Sequence, residues 1–188
     1  DFLPAVLSTV SNKINNITAI ELSDYRFAPN EFEMKLGRGF GESPEYKCVC
    51  EDPNFIIATW GPCVDFIAGA LGYQVEGYEA TYEKCLTDHD VPTGYGKIPA
   101  GTVGAVRIMV HGIINGRRAI TVGNVNRMGD NVAEEWEKGD ELAMYRITVD
   151  GDPSMKLEYA YDHNDGAYGY SVTALVTESS FFPISALE

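Results

Sequence analysis

Apolar residues at helical spacing open the chain, strand-like alternation dominates its second half, and the change between them organises the reading. Leu3, Val6, Leu7, Val10 and Ile14 recur three and four positions apart, and Pro4 suits a first turn. This predicts an N-terminal helix ended by Asn15-Asn16. Ile17–Tyr25 alternates as a strand, with Ile20 and Leu22 flanking Glu21. A short helix is expected around Glu31–Leu36, then a loop through Gly37, Gly39, Gly41 and Pro44. A second helix is predicted with Pro62 in its first turn. Val64, Ile67, Ala68 and Leu71 form its apolar stripe, and Gly72 is its stop.

After Gly72 the period changes. Tyr73–Leu86 reads as a strand. Asn115-Gly116, between two long alternating segments, predicts a two-residue hairpin turn, because these residues accept the positive φ angles it demands. Pairing outward from that turn sets Met109 opposite Val122, His111 opposite Ile120, Val106 opposite Val125 and Arg107 opposite Asn124. A second hairpin around Asp150-Gly151-Asp152-Pro153 joins Ala143–Val149 to Met155–Tyr161, and a last helix is expected over Tyr170–Glu178. Early helices followed by mostly antiparallel strands predict an α+β fold: a mostly antiparallel, mixed sheet with helices packed on one face.

Composition narrows the function classes. The chain has 188 residues, the length of a single domain, and 14 Lys+Arg against 28 Asp+Glu give a formal charge of −14. Such a chain repels phosphate backbones and anionic bilayers, so neither nucleic acid nor a membrane is an expected partner. Apolar runs such as Phe55–Trp60 fall far short of the roughly 20 residues of a membrane span. The start at Asp1, without Met or a leader pattern, reads as a processed product or an excised piece. Cys48, Cys50, Cys63 and Cys85 lack zinc-knuckle spacing and read as free thiols of a reducing, cytoplasmic compartment; the sequon Asn16-Ile17-Thr18 is then a chance match.

Candidate chemistry is sparse. Gly37-Arg38-Gly39-Phe40-Gly41 has no strand before it and no third glycine at dinucleotide spacing, so it reads as a crossing loop. His89, His111 and His163 have no partner at ligand spacing, and no metal is expected. Glu134-Glu135 lies in a polar stretch and reads as solvated. The hairpin pairing places Arg107, Asn124 and Asn126 on one sheet face with Arg127 next in line, a polar set that either reaches solvent or lines a cleft. Tyr25, Phe27 and Trp60 lie at element ends, where they form either an apolar pocket or core filling.

Several stretches, in order, carry a resemblance: Asp1-Phe2-Leu3-Pro4, Glu21 to Tyr25, Gly39-Phe40-Gly41, Trp60-Gly61-Pro62, Tyr82-Glu83, Ala100-Gly101-Thr102-Val103, Val125-Asn126-Arg127, Glu135-Trp136 and Gly151-Asp152-Pro153. Over residues 1 to about 175 the chain resembles the substrate domain of dihydrodipicolinate-reductase-like dehydrogenases. Within that family it is most similar to the 2,4-diaminopentanoate dehydrogenase and native amine dehydrogenase group. The resemblance implies a C-terminal substrate and dimerisation domain whose NAD- or NADP-binding partner domain lies outside this chain. It implies hydride transfer between the nicotinamide and an imine formed from a ketone and ammonia, and a homodimer built through the sheet. Tyr25, Phe27 and Trp60 are then pocket-lining candidates, with Asn126 and Arg127 behind them, and no catalytic residue is assigned. The His-His and Lys/Ser-Gly-Thr signals of true dihydrodipicolinate reductases are missing near Asp24-Tyr25-Arg26, and the tail Thr177–Glu188 departs from the family pattern.

An acidic domain favours an ammonium-bearing substrate over a dicarboxylate. The resulting expectation is the substrate domain of an NAD(P)-dependent oxidoreductase acting on an amine or carbonyl compound, inactive as an isolated chain. The alternative is a non-catalytic α+β module that binds a ligand or dimerises.

Overall fold

A computed structural model of the chain describes residues 2–129, 131–139, 143–160 and 173–179. Its centre is a seven-stranded sheet in the order β2-β5-β6-β1-β7-β8-β9. The strands are β1 (Lys13–Asp24), β2 (Gly77–Leu86), β5 (Val103–Ile114), β6 (Arg117–Arg127), β7 (Ala143–Asp152), β8 (Met155–Ala160) and β9 (Thr173–Ser179). All neighbours are antiparallel except β1 and β6, which run parallel, so the sheet is mixed and mostly antiparallel. β3 (Val91–Thr93) and β4 (Gly96–Ile98) form a separate two-stranded ribbon that adds Val91 and Ile98 to the core.

Helix α3 (Pro53–Ala70) covers one face of the sheet, which we call the helix face. It begins nine residues before Pro62, which lies inside it rather than in its first turn. The start is set by Asp52, whose carboxylate accepts from the Asn54 N–H at 2.9 Å, and by Pro53. The expected stop holds. Gly72 takes a φ of 77°, and the N–H groups of Tyr73 and Gly72 return to the carbonyls of Ala68 and Gly69. Of the predicted stripe, Val64, Ile67 and Ala68 are buried and Leu71 packs half-buried on the core, while Ile56, ahead of the predicted start, is buried with them. Val64 sits where Gly112 passes beneath it: a Cβ on Gly112 would lie 2.3 Å from Val64 Cγ1.

Helix α1 (Phe2–Ser8) is shorter than its periodicity suggested. The Ser8 and Thr9 hydroxyls donate to the Ala5 and Val6 carbonyls, competing with a further turn. Leu7 packs on the core, Leu3, Val6 and Val10 are exposed, and Ile14 belongs to β1. The short helix α2 (Glu31–Glu33) runs into a π-helical turn, Met34–Arg38, that ends at Gly39 with a φ of 82°.

The Asn115-Gly116 turn forms as expected, with φ of 52° and 70°, and Glu76 accepts from both of its N–H groups. Next to the turn Ile114 pairs with Arg117 and Ile113 with Arg118. The register then shifts between Gly112 and Ile113, so that Gly112 pairs with Ile120 and Ala119 is the extra residue. Beyond this bulge every expected pair moves by one: Met109 opposes Gly123, Arg107 opposes Val125, and Asn124 and Asn126 oppose Ile108 and Val106. Arg107 therefore shares its face with Val125 and Arg127, while Asn124 and Asn126 point to the other side. The predicted single polar face is corrected into two.

The face away from the helices carries its own apolar cluster, Ile20, Leu22, Met109, Val125 and Met144, with Trp136 packed against it. Arginines fasten the segment 131–139 there. Arg127 donates to the Glu137 carbonyl at 3.0 Å, Arg146 to the Lys138 carbonyl at 3.1 Å, and the Arg107 guanidinium lies 5.1 Å over the Trp136 ring.

His111 also lies on this face, opposite Thr121 rather than Ile120, and the Thr121 hydroxyl is 2.9 Å from its Nδ1. Burial chiefly, with Arg118 adding to it against Glu79, depresses its pKa below the ordinary 6.5. The unfolded chain therefore takes up the proton first, and stability present above 6.5 falls as the pH drops through that value. Urea midpoints measured from about pH 8 to about pH 5 should fall more steeply for the parent than for His111→Gln. Parallel profiles would contradict this.

The second expected hairpin is present, turning at Pro153-Ser154 slightly later than predicted. The expected C-terminal helix is corrected at 173–179, which runs as β9 antiparallel to β8. The β-branched Thr173, Val176 and Thr177 suit a strand added to an existing edge. The rest of that predicted helix, the tail beyond Ser179 and His163 lie outside the described residues. Among the described residues no helix is long and apolar enough to cross a membrane, and Cys48, Cys50, Cys63 and Cys85 form no disulfide.

Candidate functional site

The ends of β1 and β6 carry polar residues on the helix face, where a sheet covered by helices would ordinarily be apolar. Glu21, Ser23 and Tyr25 project on one side of β1 at alternate positions. The Ser23 hydroxyl donates to Glu21 Oε1 at 2.8 Å, and the Tyr25 hydroxyl donates to the same oxygen at 3.0 Å. In the parallel register Asn124 stands beside Glu21 and Asn126 beside Ser23. On the other side of β1, Tyr145 of β7 stands beside Glu21 and stacks on Tyr159 of β8, ring centroids 5.1 Å apart.

Arg38 closes this cluster from above. It ends the π-helical turn, and the Tyr82 hydroxyl donates to its carbonyl at 2.8 Å. Its guanidinium lies 4.9 Å over the Tyr25 ring, and its Nε donates to Asn126 Oδ1 at 3.3 Å. Asn126 is fully buried, and its Nδ2 has no hydrogen-bond partner among the described residues. Cys48 donates to the Tyr82 oxygen at 3.3 Å.

Burial and the Glu21 carboxylate push the Tyr25 hydroxyl far above its ordinary pKa, against the pull of Arg38. Burial likewise raises Tyr82 and pushes the Cys50 thiol up to about 11. All three keep their protons at neutral pH, so Tyr25 and Tyr82 act as hydrogen-bond donors and Cys50 is unreactive.

Of the residues singled out from the sequence, Tyr25 and Asn126 lie in this cluster. Trp60 is half-buried in the middle of α3, on the same side of the sheet. Phe27 is 61% exposed in the turn after β1, under the Arg26 guanidinium. Arg127 is buried on the opposite face, holding the Ala133 and Glu137 carbonyls. Glu21, Ser23, Arg38 and Tyr82 were missed as site residues. The alternate spacing of Glu21, Ser23 and Tyr25, with Ile20 and Leu22 on the opposite face of the strand, was the available signal.

No dinucleotide cradle forms at Gly37-Arg38-Gly39-Phe40-Gly41. This stretch buries Phe40 completely, and a Cβ on Gly41 would lie 2.8 Å from Ile98 Cγ2. Among the described residues no group of three or more His, Cys, Asp or Glu is placed to hold a metal ion.

No family profile matches the chain. It is 28% identical over 162 residues to the amine dehydrogenase of Streptomyces virginiae, covering 84% of this chain and 44% of that protein. In fold it is similar to the amine dehydrogenase from Mycobacterium smegmatis, with a TM-score of 0.61, 13% identity, and coverage of 83% of this chain and 44% of that one. The chain thus spans under half the length of the proteins it matches. In sequence and in fold alike, it is a domain close to the amine dehydrogenases.

Proposed function

We propose that the chain is the substrate domain of an NAD(P)-dependent oxidoreductase that interconverts an amine with its imine and ketone. The observation that carries the reading is the Glu21 carboxylate, set by the Ser23 and Tyr25 hydroxyls on the helix face of a domain that is 28% identical to an amine dehydrogenase. The bound ammonium first gives a proton to water. The amine then loses a hydride from carbon to the nicotinamide and a proton from nitrogen to water, and the imine takes up water and releases ammonia to give the ketone. A bound nicotinamide supplies the hydride acceptor. On this reading the dinucleotide is held mainly by a domain outside this chain, which spans 44% of the amine dehydrogenase it matches.

The chain's own residues serve the substrate side. Glu21 offers a negative acceptor for an ammonium group, and Tyr25, which keeps its proton, fixes that carboxylate. Tyr145 and Tyr159 add aromatic faces beside it, suited to a cation. The same reading makes the protein a cytoplasmic homodimer joined through the sheet, in keeping with its unbridged cysteines.

The test is nicotinamide reduction by the intact protein, with NAD and with NADP, across primary amines. Amine-dependent reduction is expected, while the isolated chain should bind NADPH only weakly. Absence of amine-dependent reduction with both cofactors would overturn the reading.

A further inference from the structure

The orientation of the Asn126 amide is fixed by chemistry. A guanidinium only donates, so the atom facing Arg38 Nε must be Oδ1, and Nδ2 is left as an unspent, fully buried donor. Arg38 is itself underused. Its side chain is 15% exposed, and among the described residues its ion-pair partner is Glu33, 3.7 Å from Nη1 and 59% exposed. A largely covered cation beside a buried, unsatisfied N–H is a costly pairing unless an acceptor completes it.

We propose that Arg38 and Asn126 form an oxyanion subsite that receives a carboxylate on the substrate, making the substrate an amine that also carries an acid group. This rests on reading the Glu21 cluster as a substrate site. Tyr25 joins the two ends, its hydroxyl on Glu21 and its ring under Arg38. An ammonium at Glu21 and a carboxylate at Arg38 would each meet the opposite charge. Such a zwitterion has no net charge, so the −14 of the chain does not repel it as it would a dianion. A carboxylate suits the site better than a phosphate, because the nearby Lys84 is engaged with Glu51 at 2.6 Å and with the Tyr46 carbonyl, leaving Arg38 as the one cation available in the described cluster.

The experiment compares the intact protein with Arg38→Met, Arg38→Lys and Asn126→Leu on two matched substrates, sec-butylamine and β-aminobutyrate, in which a carboxylate replaces a methyl group. The parent should prefer the amino acid. Arg38→Met should lower the ratio of the two kcat/KM values about 100-fold, and Arg38→Lys should restore part of it. Asn126→Leu should lower the ratio about tenfold, the scale of one hydrogen bond to a charged group. A ratio that favours sec-butylamine in the parent, or that survives both Arg38→Met and Asn126→Leu, overturns the subsite while leaving amine oxidation standing. Calorimetric titration of the parent and variants with butyrate decides the matter independently of turnover. Butyrate binding that Arg38→Met and Asn126→Leu both abolish supports the subsite even if no amine is oxidised. Butyrate binding that neither variant weakens overturns it, as does a parent that binds no butyrate.

Discussion

Gly123→Ala should destabilise the chain by about 3 kcal/mol, at the upper end of what one added methyl usually costs a packed interior. A Cβ there would lie 2.2 Å from the Ile108 carbonyl oxygen, 2.4 Å from Met109 Sδ and 3.0 Å from Met109 Cα. The sulfur can swing aside, but the carbonyl and Cα belong to β5, which is paired on both sides, as is β6. Yielding there means breaking ladder hydrogen bonds or pushing β5 away from β6. With a urea slope of about 2 kcal/mol/M, the midpoint should drop by about 1.5 M. Adding Met109→Ala relieves the sulfur contact alone, so it should restore less than half of the loss. Gly77→Ala is the control. Its Cβ meets nothing within 4 Å and its φ is ordinary, so its change should stay within about 0.5 kcal/mol. A Gly123→Ala midpoint equal to that of the parent would show that the β5–β6 approach is looser than described.

A different close approach, of α3 onto β5 at Gly112, bears on which parts of the fold were legible. Asn115-Gly116 announces its turn because few residue pairs accept two positive φ angles, and Gly72 announces a helix end for a related reason. Nothing local marks the bulge at Ala119. It is a tertiary adjustment: the register shifts at Gly112, where Val64 of α3 presses onto the strand. One unmarked residue therefore moved Arg107 to the face opposite Asn124, because side chains alternate with period two. Pro62 misled for a different reason. Proline favours a first turn, but it also survives inside a helix long enough to tolerate one missing hydrogen bond, and α3 has 18 residues.

The candidate site was half legible on similar grounds. Tyr25 stands out as an aromatic residue at an element end, and Asn126 as a polar residue near the end of a long hairpin strand. Glu21 was hidden by its neighbours, because Ile20 and Leu22 gave β1 the look of a strand with one apolar and one wet face. Both faces of β1 are in fact covered: Ile20 and Leu22 pack beside Trp136 on one side, while Ile17 joins the core beneath the helices on the other. A carboxylate on the helix face then needs donors, and Ser23 and Tyr25 provide them. Arg38 lies in a glycine-rich stretch whose composition reads as a crossing loop. Its position depends instead on the Tyr82 hydroxyl from β2, a contact that spans 44 residues of sequence.

Glu21→Gln is the substitution expected to cost activity most. On the proposed reading the carboxylate holds the substrate's ammonium by a charge-assisted hydrogen bond, and an amide oxygen in its place keeps the geometry but not the charge. The loss in kcat/KM for amine oxidation by the intact protein should be about 100-fold, equivalent to about 2.7 kcal/mol. Folding should change little, because Gln retains an Oε1 that accepts from Ser23 and Tyr25, and the urea midpoint reports this directly. Tyr25→Phe removes one of the donors to that carboxylate without altering its charge, so its effect should be smaller, about tenfold. The order of the two variants discriminates as much as their size. If Glu21 binds the ammonium, Glu21→Gln is the worse and its deficit appears mainly in KM; if Tyr25 were the group touching substrate and Glu21 only positioned it, the order would reverse. A Glu21→Gln protein that oxidises amines within about threefold of the parent's kcat/KM would remove the carboxylate from the substrate site altogether.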